Sequence, residues 1–445
     1  MTNTQDKHID RFLTLFQNFE GALNGEKSHP MHEWRRKAIH RLKDLRFPTR
    51  RDEEWKYTPV TRVVSPSYAI NPQADLSKEQ VDQFKINGLN AAVLTFVNGQ
   101  LRKDLSDLDN LPQGLQLMPM SEALDSPDYQ DIVKELYLSS TEKTEDPFLV
   151  MNAAFSKENL FLHVPANTEV SQALHLLHIN TPQEHPYFYN PQKLIYVERG
   201  SKMVLVESFN NLEENGDHAQ YFNNMQNVIH LEGNAQMDHY KLQRESTGAS
   251  HLNNTSVYQD RDSVYSNFQL DLGGLWVRNN LNAYHKGENV TTNFYGAFLG
   301  KDNQHLDAHT LVDHAIPHCQ SNELYKGILD DKAHGVFNGK VLVHKDAQKT
   351  NAFQQNSSLL LSEKAVMDAK PQLEIFADDV KCSHGATIGH LDESSVFFLR
   401  TRGIDIKRAK EMLQQAFLLE VIEKMPDESL RNYASERIAE KLASS

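Results

Sequence analysis

Apolar residues recur at helical spacing near both ends of this chain and at strand spacing between them. Ile9, Phe12, Leu13, Phe16, Phe19 and Leu23 fall on one face of a helix that can start after Asp6 and ends before Gly25. Trp34, Ala38, Ile39, Leu42 and Leu45 make a second stripe, opened near Pro30 and closed before Pro48. The run Ala91 to Val97, followed by Asn98-Gly99, predicts a strand and turn, and further helices are expected over 128–138 and 145–155. From about Lys193 to Arg402 the period shortens. Met203–Val206, Asp238–Leu242, Val264–Leu270, Asn293–Leu299, Lys340–Val343, Leu359–Leu361 and Leu373–Ile375 are strand-like runs separated by turns rich in Asn, Asp and Gly. No helix-length period intervenes. Such spacing suits an antiparallel sandwich, a barrel or a parallel β-helix, and periodicity alone does not choose among them. After Gly403 the helical period returns. Asp405 can cap a helix with Ala409, Met412, Leu413, Ala416 and Leu419 on one face, and Asp427 a second with Leu430, Ala434, Ile438 and Leu442. Two helices there can close the end of a strand stack that would otherwise expose apolar surface and strand edges.

Composition narrows the function classes. Lys+Arg 46 against Asp+Glu 60 gives a net charge of −14, which repels nucleic acid and anionic lipid over most of the surface. The mean hydropathy is −0.58, and no apolar run approaches the ~18 residues of a membrane-spanning helix. The opening residues lack the basic-then-apolar pattern of a secretory leader. Cys319 and Cys382 are the two cysteines, too few for a disulfide framework, which fits a reducing, cytoplasmic setting.

Candidate chemistry concentrates late in the chain. Cys382 and His384, two residues apart, share one side of an extended strand and set a soft sulfur beside an imidazole nitrogen, a pair suited to iron or zinc. Two donors do not fill a coordination sphere, and a cysteine is often simply a small buried hydrophobe. His390 nominally shares that face, but Gly385 and Gly389 are expected to bend the chain before it. His305, His309, His314 and His318 with Cys319 look like a metal cluster. Their spacing scatters them over different faces of a strand–turn–strand path, so they read as structural, and Cys319 as a buried apolar residue. His163, His175, His178 and His185 are weaker candidates still. Asp330-Asp331 and Asp378-Asp379 could suggest paired carboxylates, but adjacent strand residues face opposite ways. Gly21 to Ser28 resembles a phosphate-binding loop, yet Glu26 separates glycine from lysine and the stretch follows a helix, so ATP hydrolysis would belong to a partner.

A far more specific signal is the stretch Asp378-Asp379-Val380-Lys381-Cys382-Ser383-His384-Gly385-Ala386-Thr387-Ile388-Gly389-His390-Leu391-Asp392, continuing through Phe397 to Ile404. With Thr310–His314, Tyr325-Lys326-Gly327-Ile328, Gln354-Gln355-Asn356, Ser358–Leu361 and the N-terminal Arg51–Thr58, it resembles the SufB/SufD family, scaffold proteins of the Suf iron–sulfur cluster assembly machinery. The resemblance implies a mainly β fold: a right-handed parallel β-helix core over 156–402, an N-terminal, mostly helical α+β domain over 1–155 and a C-terminal helical domain over 403–445. SufB proteins typically carry a cysteine where this chain has Ala365 and a glutamate where it has Gly385, so the pattern is that of the SufD branch. For that branch the resemblance implies a non-enzymatic scaffold that pairs with a SufB-like paralogue through the β-helix. A SufC-like ATPase would dock on the C-terminal helices, and a homodimer would use the same β-helix face when the chain is alone. It further implies a transient Fe–S cluster shared with SufB, with His384 first and Cys382 second as this chain's ligands. A reduced flavin in the complex is not readable from the sequence. Two rival classes are a β-helix carbohydrate-active enzyme and an autonomous metal-binding protein, the latter opposed by the shortage of donors.

Overall fold

Between residues 160 and 389 the chain winds into a parallel β-helix in which each coil adds one strand to each of two sheets. The computed structural model describes residues 7–23, 27–70, 72–142, 144–157, 159–212 and 219–443. The Asp6 cap and the Gly25-Glu26 interruption lie outside them. One sheet stacks the strands Gln192–Val197, Tyr221–Leu231, Ser250–Gln259, Trp276–His285, His305–His314, His334–Val343 and Val366–Ile375. The other stacks Ala91–Val97, Ala173–Asn180, Lys202–Asn211, Gln236–Arg244, Val264–Asp271, Thr291–Gly300, Gln320–Leu329, Asn351–Leu360 and Lys381–Gly389. Neighbours pair parallel and in register, so Trp276, His305, His334 and Val366 sit directly above one another.

The turn residues explain how the coils close. Asn234, Asp262, Asn289, His318 and Lys349 have φ of 61°, 61°, 59°, 64° and 62°, one at each of five successive passages from the first sheet to the second. Asn and Asp tolerate this left-handed geometry better than other residues with a Cβ, which accounts for the Asn/Asp texture of the turns. Inside, small residues make room for large ones: a Cβ on Gly327 would lie 2.1 Å from Phe298 Cζ. That is the packing reason for the glycine in Tyr325-Lys326-Gly327-Ile328.

The N-terminal helices Lys7–Ala22, Pro30–Leu42, Gln130–Thr141 and Pro147–Phe155 cover the outer face of the first sheet. Phe12, Phe16, Phe19 and Phe155 pack there with Phe188, Phe222 and Trp276. The motif from Arg51 to Thr58 is a clamp. The Arg278 guanidinium lies 3.7 Å from the centre of the Trp55 ring, and its Nη1 donates to the Glu54 carbonyl at 2.7 Å and to Asp307 at 3.1 Å. Thr58 donates to Asp307 as well, and Trp276 Nε1 donates to the Pro59 carbonyl at 3.1 Å. Burial opposes the charge of Asp307, yet His309 and Arg278 hold its carboxyl well below the usual range.

The C-terminal helices depart from the expectation that they close the solenoid. Ile406–Ile422 and Glu428–Ala443, capped by Asp405 and Asp427 as the sequence predicts, lie on the flank of the second sheet. Leu418, Val421, Ile422, Leu430, Ala434 and Ile438 meet Tyr240, Phe268, Leu270 and Leu299 there. The physical reason is an apolar stripe on the outer face of that sheet, which draws the helices sideways. Ala409, Gln414 and Leu418 turn inward, while Met412 and Leu419, expected on one face with Ala409, are exposed. Lys441 fastens the last helix by donating to the carbonyls of Leu272 and Leu299 and to Gln304, and burial drives its ammonium down to about 7. One more helix, Glu393–Thr401, capped by Asp392, falls within the stretch expected to be β-helix. The last coil is therefore uncovered, with Val366, Ile375 and Ile388 exposed and Phe376 66 % exposed.

Because the Trp55 clamp ties the N-terminal region to the solenoid, Trp55→Ala is expected to cost about 3–5 kcal/mol. The measurement is urea unfolding; a loss below about 1 kcal/mol would show that the Arg278–Trp55 contact is not what holds the two parts together.

Candidate functional site

At the uncovered end, alternation and register decide what faces where. In the strand Asn351–Leu360, Ala352, Gln354 and Asn356 are buried whereas Phe353 and Gln355 are exposed, so even-numbered positions here point into the solenoid. The final strand pairs with it as Ala352 with Cys382, Gln354 with His384 and Asn356 with Ala386. Cys382 and His384 therefore share the inward-facing row, as the sequence predicts, but among the described residues no further coil lies over them. The strand has only one neighbour in its sheet and presents a free edge.

The two donors differ in environment. Cys382 is half-buried beside an apolar cluster that includes Val341, Val343 and Ala352. Burial raises its thiol pKa above the ordinary value. His384 is exposed. The strand runs unbroken through Gly385 and ends at Gly389, so Gly385 does not bend it. A Cβ on either glycine would meet nothing within 4 Å. His390 lies just past the strand, with Nδ1 2.8 Å from the carbonyl of Leu360.

Beneath His384 lies a polar column that the sequence does not announce. Glu323, Gln354 and His384 are successive in-register positions on three adjacent strands. Gln354 Nε2 donates to Glu323 Oε1 at 3.2 Å, and Thr310 Oγ1, from the opposite sheet, donates to Oε2 at 2.5 Å. Burial pushes the Glu323 carboxyl up to about 7, the two hydrogen bonds only partly opposing it. The strand alternation around Tyr325 could have placed Glu323 inside, but nothing in the sequence gives it a partner.

Of the other candidates, His305 and His309 share one face of a strand on either side of Asp307, and the rest separate. His305 Nε2 lies 3.0 Å from Thr58 Oγ1, His309 Nε2 3.1 Å from Asp307 and His314 Nε2 2.9 Å from Ser321 Oγ, while His318 forms a turn. Cys319 is buried, its thiol pushed up to about 11 by burial. His175 and His178 are buried, His163 contacts Glu198 and His185 is exposed, so none of these joins a cluster. Among the described residues no group of three or more His, Cys, Asp and Glu could hold a metal ion. Asp330-Asp331 and Asp378-Asp379 lie between strands rather than on them, and Asp379 pairs with Lys349.

Comparison with known proteins agrees over nearly the whole chain. Residues 178–417 match the family model described as SUF system FeS cluster assembly, SufBD core domain, and residues 6–176 that of the SufBD protein N-terminal region. The chain is 32 % identical over 435 residues to an iron–sulfur cluster assembly SufBD family protein of Synechocystis, covering 96 % of this chain and 95 % of that one. It is 30 % identical over 405 residues to the iron–sulfur cluster assembly protein SufD of Escherichia coli, covering 89 % of each. To the chloroplastic protein ABCI7 of Arabidopsis thaliana it is 28 % identical over 436 residues, covering 96 % of this chain and 90 % of that one.

The buried Glu323 generates a pH prediction. Its folded pKa is raised, so its contribution to stability is complete below the unfolded value near 4.5 and is lost as pH rises through about 7. Glu323→Gln, which cannot ionise, is expected to gain on wild type by a few kcal/mol between pH ~4 and ~8. Urea titrations at both pH values check this, and a difference independent of pH would place the carboxyl in contact with solvent.

Proposed function

Since the chain belongs to the SufB/SufD family of iron–sulfur cluster assembly proteins and is SufD-like, we propose that it is a non-catalytic scaffold subunit whose open solenoid end pairs with a SufB-like paralogue. The observation that carries this reading is the placement of Cys382 and His384 side by side on an edge strand with no coil above them. A free edge flanked by exposed Val366, Phe376 and Ile388 suits continuation by another strand stack. Soft sulfur and imidazole nitrogen fit a nascent Fe–S cluster, the cargo of such a scaffold, and two donors fall short of the four that usually hold one. The partner would supply the rest. Prepared alone, the chain would use the same face to form a homodimer. The solenoid core of 156–402 then carries the shared site, the 1–155 region braces it, and the 403–445 region docks a SufC-like ATPase in the cytoplasm.

Support for the docking role comes from the exposed ridge of Met412, Ala416 and Leu419, which lines a groove with Ser435 beside the face used for internal packing. Among the described residues no helix is long and apolar enough to cross a membrane. The net charge of −14 disfavours nucleic acid.

Two experiments test this function. His384→Ala should lower the cluster content of the purified three-protein complex to roughly a tenth or less, Cys382→Ser should lower it less, and His390→Ala should leave it unchanged. Absorbance and iron assay read the result, and a His384→Ala complex carrying as much cluster as wild type overturns the ligand assignment. Separately, Leu419→Asp should fold normally, because the residue is exposed, yet reduce co-purification of the ATPase at least about tenfold, since a desolvated carboxylate without a partner costs several kcal/mol. Full recovery of the ATPase with the folded variant would move the docking surface elsewhere.

A further inference from the structure

The side chain directly below His384 has an unmet hydrogen bond. Gln354 is 2 % exposed, its Nε2 is committed to Glu323, and its Oε1 is buried with no hydrogen-bond partner. A buried carbonyl oxygen without a donor is costly, and most such groups in folded proteins find one. The Glu323 carboxyl fixes the direction of the amide by accepting from Nε2, which leaves the oxygen as the end free for another group. The opposite sheet makes way for this amide: a Cβ on Gly339 would lie 2.3 Å from Gln354 Nε2. The next residue in the same inward row, on the strand above, is His384. Parallel strands lie about 4.8 Å apart, so side chains in register on one face are within reach of each other.

We propose that Gln354 is a positioning residue for His384: its buried Oε1 accepts one imidazole N–H and leaves the other ring nitrogen bare toward the open end of the solenoid. The inference rests on the reading of His384 as a cluster ligand and adds the device that prepares it. A neutral imidazole carries one proton on either of two nitrogens, and only the unprotonated one can donate to iron. Metal-binding histidines commonly have the other N–H held by an acceptor in this way, which sets tautomer and ring orientation together. Glu323 then acts one step further back, holding the amide so that oxygen rather than nitrogen faces His384.

The test uses the full-length chain labelled with ¹⁵N-histidine and needs no iron. Long-range ¹H–¹⁵N correlation spectra at about pH 8.5, where an ordinary imidazole is neutral, report the tautomer ratio, and His384 is assigned by the signals lost in His384→Ala. Wild type should show one dominant tautomer. Gln354→Met keeps the volume and removes the acceptor. Gly339→Ala leaves Gln354 in place but puts a methyl group where its amide sits. Both should shift the ratio by about fivefold, the equivalent of one ordinary hydrogen bond. If Gln354→Met fails to fold by circular dichroism, Gly339→Ala carries the test alone. A ratio unchanged from wild type in the folded variants overturns the proposal. The two readings fail separately. A fixed tautomer together with undiminished cluster in His384→Ala complexes leaves the hydrogen bond standing and removes the ligand. An unfixed tautomer together with cluster lost in His384→Ala leaves the ligand standing and removes the positioning role.

Discussion

In-register parallel stacking is the constraint on which the rest of this molecule depends. Each coil satisfies the backbone groups of the one before it and buries its inward row, and every coil but the last is treated the same way by its successor. The final strands Val366–Ile375 and Lys381–Gly389 have no successor, so apolar and ligand-type side chains that would be interior one coil earlier are left accessible. Cys382 and His384 gain their chemical availability from that position alone. In the preceding coil the same two positions are Ala352 and Gln354, both buried.

The same stacking explains a polar interior that is unusual for a core. Lys193 and Glu207, both almost wholly buried, pair at 2.5 Å, and Glu207 Oε2 lies 2.9 Å from His239. Burial works against the charge on Glu207, but Lys193 and His239 hold it well below the usual carboxylate range. Farther along, Lys241 Nζ meets Asn279 at 2.6 Å, and His251 meets Glu245 at 2.8 Å. Removing either partner of the Lys193–Glu207 pair would leave an uncompensated buried charge, so this row tolerates change only in concert. Glu323 is the exception. It has hydrogen bonds but, among the described residues, no cation beside it, and its pKa rises accordingly.

That polar interior also marks where the sequence stops being legible. The amphipathic helices could be read because their apolar stripes and caps are local, and Asp405 and Asp427 do cap the two C-terminal helices. The shared face of Cys382 and His384 followed from strand alternation alone. Strands such as Tyr221–Leu231 and Ser250–Gln259 escape the pattern because Asn223, Asn224, Asn227, His251, Asn253 and Asn254 are buried where apolar residues are expected. Their partners lie one coil away, about thirty positions along the chain, beyond the reach of any local period. The flank position of the C-terminal helices was hidden for a related reason. The stripe that attracts them, Tyr240, Phe268 and Leu270, is spread over separate strands and becomes a surface only after the coils stack. Gln354 likewise becomes a neighbour of His384 only through register.

One sheet carries both regions to which a role is assigned. The strand Gln320–Leu329 turns Glu323, Tyr325 and Gly327 inward and Leu324, Lys326 and Ile328 outward. From its outer face Lys326 pairs with Glu420 and lies 4.5 Å from the centre of the Phe417 ring, both on the helix that also presents Met412 and Leu419. From its inner face Glu323 holds Gln354, the in-register neighbour of His384. A displacement of that helix by the proposed ATPase would load this strand first, and through Glu323 the load would reach Gln354, the amide proposed to hold His384. Because packed sheets resist small continuous deformation, such a load is relieved most easily at the edge, where the last strand has only one neighbour to hold it. Cys382 and His384 thus sit on a strand held from one side only.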